Sequence, residues 1–95
     1  MVKIKIDKRE FTLNYNNKVL FDIEKKLDIS IIKLFQDKEL LERIHVIYTI
    51  VHCGIVEDIS FDDFSELVSF DELGKVLPKA MDEITEGFNT GIKKK

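Results

Sequence analysis

The sequence predicts an α+β fold: an N-terminal two-stranded antiparallel β-hairpin packed on a mostly α-helical domain of four to five helices. Three observations lead there. Apolar residues alternate with polar ones at both ends of the first fifteen residues. From residue 17 onward they recur at helical spacing instead. Side chains of the helix-capping kind stand at the start of each new stretch.

In the hairpin, Val2, Ile4 and Ile6 alternate with Lys3, Lys5 and Asp7. Phe11, Leu13 and Tyr15 alternate with Glu10, Thr12 and Asn14. A period of two places one apolar face on each strand, and the short polar Asp7-Lys8-Arg9 between them reads as a turn. A two-stranded hairpin is marginal alone in water, so this face must pack on helices. Asn16 or Asn17 caps a helix in which Val19, Leu20, Ile23 and Leu27 oppose Asp22, Glu24, Lys25 and Lys26. Asp28-Ile29-Ser30 reads as a break and a new cap, followed by a short helical piece through Ile31, Ile32, Leu34 and Phe35. Asp37 is expected to cap a long central helix reaching Cys53, with Gly54 as its C′ residue. Beyond Arg43 that helix is apolar nearly all round, the pattern of an element buried on several sides or seated at a subunit contact.

Ser60-Phe61-Asp62-Asp63 and Ser69-Phe70-Asp71-Glu72 are Ser-x-x-acid starts of two further helices. Pro78 either kinks the last helix or opens a new one. Gly87, Asn89, Thr90 and Gly91 are expected to end the order. Residues 1–91 thus form one domain, with the hairpin at 2–15 and helices over 17–89, and residues 92–95 form a disordered basic tail.

Composition narrows the function. The chain has 95 residues, one cysteine, one proline, no tryptophan and a net charge of −3. One domain leaves no space for separate cofactor and catalytic units. The single Cys53 cannot form an internal disulfide, which fits a reducing compartment, the cytoplasm. The start lacks the continuous apolar run of a signal peptide. The most apolar stretch, Ile44 to Val56, falls short of the ~20 residues a membrane span needs. Charge is uneven: residues 1–45 carry ten Lys/Arg against eight Asp/Glu, and residues 46–95 five against ten. Between Glu57 and Glu86 ten acidic side chains face only Lys75 and Lys79. That half repels nucleic acid, which needs cations facing its phosphates. It is either a solvated surface or a face that meets a basic partner.

No spacing announces chemistry. His45 and His52 share a helix face but stand roughly 10 Å apart along the axis, too far to chelate one ion. Cys53 points about 100° away from His52, with no third group to orient a nucleophile. Asp62, Asp63 and Glu66 lack the alternate ligands and glycine turn of a calcium loop, and read as first-turn acids of a helix. No catalytic residue, cofactor or metal is expected. Of the seven Phe and two Tyr, Phe61, Phe64, Phe70 and Phe88 concentrate in the C-terminal half. They read as core, or as the lining of a peptide-binding groove. Surplus apolar surface on so small a domain favours homo-oligomers or a partner helix.

The order of motifs resembles the tail assembly chaperones of long-tailed phages and prophages. Lys3-Ile4-Lys5-Ile6 leads through a tight turn to Glu10-Phe11-Thr12-Leu13-Asn14-Tyr15. The helix Leu20-Phe21-Asp22-Ile23-Glu24-Lys25-Lys26-Leu27 follows at once. Later come a helix ending His52-Cys53-Gly54, the capped Ile59-Ser60-Phe61-Asp62-Asp63-Phe64, and an acidic amphipathic helix. The match spans nearly the whole chain as an order of elements, and rests in residue terms on 3–27 and 44–68. The resemblance implies a non-catalytic protein of the host bacterial cytoplasm. It would bind the tape measure protein during tail morphogenesis and give way as tail tube subunits polymerise. Such chaperones often occur in two lengths made by translational frameshifting, and Lys93-Lys94-Lys95 would be encoded by an adenine-rich run. The outward apolar groups Phe61, Phe64, Phe70, Leu73 and Phe88 are the candidate partner-binding residues. The alternative is a generic small helical adaptor or regulatory protein-binding module.

Overall fold

The computed structural model describes residues 1–93, and side-chain surroundings for residues 1–86. Strands β1 (Val2–Ile6) and β2 (Arg9–Leu13) form an antiparallel hairpin, paired from Val2 with Leu13 to Ile6 with Arg9. The turn is only two residues long, because Arg9 joins the ladder. Asp7 and Lys8 both adopt positive φ, 49° and 69°, the handedness that matches the twist of a two-residue hairpin. Ile4, Ile6, Phe11 and Leu13 bury the inner face, as the alternation predicts.

Among the described residues five α-helices follow: α1 (Asn17–Leu27), α2 (Ile31–Gln36), α3 (Ile44–Gly54), α4 (Phe61–Leu67) and α5 (Phe70–Lys93). The expected caps are in place. Asn16 accepts from the Val19 N–H, Ser30 from Lys33, Ser60 from Asp63 and Ser69 from Glu72. Asp28 closes α1 in the left-handed conformation. The Glu24 carboxylate accepts the Ile31 N–H at 2.8 Å and ties α2 back to α1.

The central helix differs from expectation. Asp37 caps only a turn, accepting the Glu39 N–H at 3.1 Å. A 3-10 turn (Leu40–Glu42) follows, and Arg43 is extended before α3 begins. Leu40 lies one turn before Ile44, which is 56% exposed. A straight helix would carry Leu40 out along that solvent-facing row. The break instead lets Leu40 and Leu41 pack against the core. From Ile44 on, α3 is central as the sequence suggests, touching α1, α4, α5 and β2.

The last helix also departs from the sequence reading. Of the two alternatives at Pro78, the opening of a new helix is the one overturned, because α5 runs through the proline. Pro78 and Gly74, whose carbonyl loses its donor, are both exposed, so water can satisfy that carbonyl. Leu73, Val76, Ala80 and Ile84 hold the opposite face in the core. The backbone stays helical through Gly87 and Gly91 to Lys93, so the expected tail at 92–95 is helical in its first half. A helical glycine costs only about 1 kcal/mol relative to alanine, too little to end a long helix. Lys94 and Lys95 lie outside the described residues.

Gly54 has a role other than the left-handed C′ position. It is the last residue of α3, and no glycine of the described chain has positive φ. A Cβ built at Gly54 would fall within the ring of Tyr15. The buried Tyr15 hydroxyl donates to the Ile50 carbonyl at 2.8 Å, and the Asn14 N–H donates to the Gly54 carbonyl at 2.8 Å. Helix and hairpin meet here at backbone distance, which only glycine allows.

Two outcomes are expected. Gly54→Ala should destabilise the fold by roughly 2–3 kcal/mol through overpacking, read as a lower urea midpoint. The loss should shrink when Tyr15→Leu is already present, and additive losses would count against the contact. Lys8→Gly should raise thermal stability by about 1 kcal/mol, since a left-handed lysine is strained and glycine is not. An unchanged melting temperature would argue against the two-residue turn.

Candidate functional site

The segment leaving α3 is strapped to the free edge of β2, and this places α4. Leu13 and Ile55 form a β-bridge, and the Val56 N–H donates to the Thr12 carbonyl at 2.9 Å. The Glu57 carboxylate then takes both Thr12 donors, the N–H at 2.8 Å and the hydroxyl at 3.0 Å. Farther on, His52 Nε2 lies 2.6 Å from the Ile59 carbonyl, the contact of an Nε2–H donor. Its Nδ1 is buried with no hydrogen-bond partner among the described residues. Ser60 then caps α4.

These ties set Phe61 edge-on to both histidines, with ring centroids 5.9 Å from His45 and 5.5 Å from His52. The two histidines do share one face of α3, as their spacing predicts, and Phe61 is the group they share. On one side of Phe61 is a hollow of about 280 Å³ lined by Lys26, His45, Thr49, His52, Cys53 and Phe61. Burial pushes the Cys53 thiol up, which keeps the reactive thiolate scarce. Among the described residues no three His, Cys, Asp or Glu side chains gather closely enough to hold a metal ion. No helix among them is long and apolar enough to cross a membrane.

On the other side is a wider groove of about 460 Å³ between α3 and α4, lined by Ile44, His45, Tyr48, Phe61 and Ser65. Its hydroxyls are occupied internally. The Tyr48 hydroxyl donates to the Val68 carbonyl at 2.7 Å, and the Ser65 hydroxyl to the Phe61 carbonyl at 2.8 Å. A third, smaller hollow of about 190 Å³ lies between α1 and α2, beside the exposed Phe21 and Ile32.

The five sequence candidates separate. Phe61 lines both hollows around α3. Phe70 is 55% exposed at the start of α5, outside the groove lining. Phe64 and Leu73 are fully buried core residues and cannot meet a partner. Their capped helices turn the second apolar position of each stripe inward, and Phe64 packs edge-on against Tyr48. Phe88 lies outside the residues whose side chains are described. Ile44 and Tyr48 join the site although the sequence placed them on a core face. Ile44 is exposed and Tyr48 half-buried because of how α3 packs as a whole, which no local motif marks.

No known protein family matches the chain, and no curated protein or solved structure is significantly similar to it.

The strap is pH-dependent. Hydrogen bonding from the Thr12 backbone N–H holds the Glu57 carboxyl below its ordinary value. A carboxyl depressed in the folded state contributes stability above its unfolded pKa, and that contribution disappears as pH falls through the folded one. Melting temperature should therefore fall in acid, with a shallower fall in Glu57→Gln, whose amide does not ionise. Parallel acid limbs for the two proteins would exclude this role.

Proposed function

We propose that this protein is a non-catalytic binding module of the tail-assembly-chaperone kind, which covers apolar stripes on a long helical tape measure protein. The observation that carries the reading is the α3–α4 groove. It is open and apolar, and its hydroxyl groups are bonded to the protein's own carbonyls. A partner that fills it gains by removing apolar surface from water and need match no hydroxyl, the His45 ring being the polar group left in the lining. Phe21, Ile32, Val56 and Phe70, each more than half exposed, extend the apolar surface beyond the groove. A contact of moderate area is reversible, as a chaperone that gives way to tail tube subunits requires. The cytoplasm of the host cell is the compartment that goes with this role.

Co-expression with fragments of the tape measure protein from the same genome is the test. A soluble complex that survives size exclusion at micromolar concentration is expected, with the fragments aggregating when expressed alone. Fragments that stay soluble unaided and never co-elute would remove the proposal.

A further inference from the structure

We infer that the α3–α4 groove receives a basic amphipathic helix, one whose apolar row is flanked by lysine or arginine. This rests on the binding reading above and adds the chemistry of what is bound.

The shape favours a helix. Ile44 and Tyr48 stand one turn apart on α3, and Phe61 and Ser65 one turn apart on α4. Two such ridges bound a trough suited to a third row of side chains at i, i+4 spacing. The small Ser65 leaves the trough open on the α4 side. With the Tyr48 and Ser65 hydroxyls donated to backbone carbonyls, the occupant's inward row should be apolar.

Charge decides what flanks that row. Residues 56–74 contain seven Asp/Glu and no Lys/Arg. Next to Phe61 and Ser65 on the α4 surface come Asp62 and Glu66, both exposed. A second copy of this chain brought face to face would oppose the same acidic row to itself. An acidic helix meets the same repulsion along α4, whereas Lys or Arg flanks complement that side of the rim and steer association, Arg43 standing beside Ile44 on the other side.

Three labelled helical peptides of about 18 residues, long enough to form helix, provide the probe. One carries a leucine row with lysine flanks, one the same row with glutamate flanks, and one the lysine composition scrambled. They are titrated against the full chain by fluorescence anisotropy. The lysine-flanked peptide should bind at least about tenfold more tightly than either other, and weaken as salt screens the rim. Ser65→Trp, which fills the trough, and Ile44→Ser should each weaken it about tenfold with melting temperature unchanged. Asp62→Lys with Glu66→Lys should reverse the preference between lysine and glutamate flanks. Equal binding of the three peptides, or indifference to Ser65→Trp and Ile44→Ser, overturns the inference. So does self-association of the chain that Ser65→Trp abolishes, because the groove then belongs to a second copy. The two readings fail separately. Tape fragments that bind Ser65→Trp normally overturn the groove assignment alone. Fragments that never bind, beside a lysine-flanked peptide that does, overturn only the tape measure assignment.

Discussion

The fold depends on one close approach, the ring of Tyr15 lying against the backbone of Gly54. A hairpin of two strands cannot hold itself together in water, and a helix as apolar as α3 cannot remain exposed. Each is stabilised by the other, and they meet where the helix ends and the strand has just finished. The absence of a side chain at Gly54 lets the ring in, and the Tyr15 hydroxyl finds its acceptor on the same helix at the Ile50 carbonyl. Burial pushes the phenol far above its ordinary range, with the nearby Cys53 and Glu83 adding to the rise, so it remains a neutral donor. With that joint made, the chain leaving α3 runs beside β2 and covers an edge that would otherwise present unpaired backbone groups.

The groove follows from the same joint. The strap from Ile55 to Glu57 fixes where the chain turns, the His52 contact with Ile59 fixes the approach to Ser60, and α4 begins with Phe61 between two histidine rings. Core packing sets the floor. Phe64 faces inward from the turn after Phe61, and Tyr48 is held by its bond to Val68. The apolar opening left between α3 and α4 is therefore braced by core contacts on both sides. A preformed groove of this kind binds without first ordering its own walls, which lowers the cost of association.

Much of this was written in local residue patterns. Period-two alternation placed both strands and their inner faces. Asn16, Ser30, Ser60 and Ser69 announced four helix starts, because a capping side chain acts on N–H groups only two or three residues away. The shared face of His45 and His52 followed from helical spacing alone. Local signals failed where two requirements competed. Asp37 looked like the cap of one long helix, yet Leu40 and Leu41 needed the core while Ile44 went to solvent, and the helix broke between them. Pro78 left open whether one helix or two would follow, and the core stripe through Leu73, Val76, Ala80 and Ile84 carried α5 past it.

From the amino-acid order alone came the class of fold, the identity of its caps, the acidity of the C-terminal half and the surplus of apolar side chains. These depend on neighbours along the chain or on simple sums. Which apolar groups face outward was a tertiary decision. Phe64 and Leu73 share the apolar character of Phe61 and Phe70, and hydrophobicity alone does not separate them. Only the packing of α4 and α5 against α3 determined that one pair fills the core and the other meets solvent, because a close-packed interior admits side chains by available volume and direction as well as by hydrophobicity.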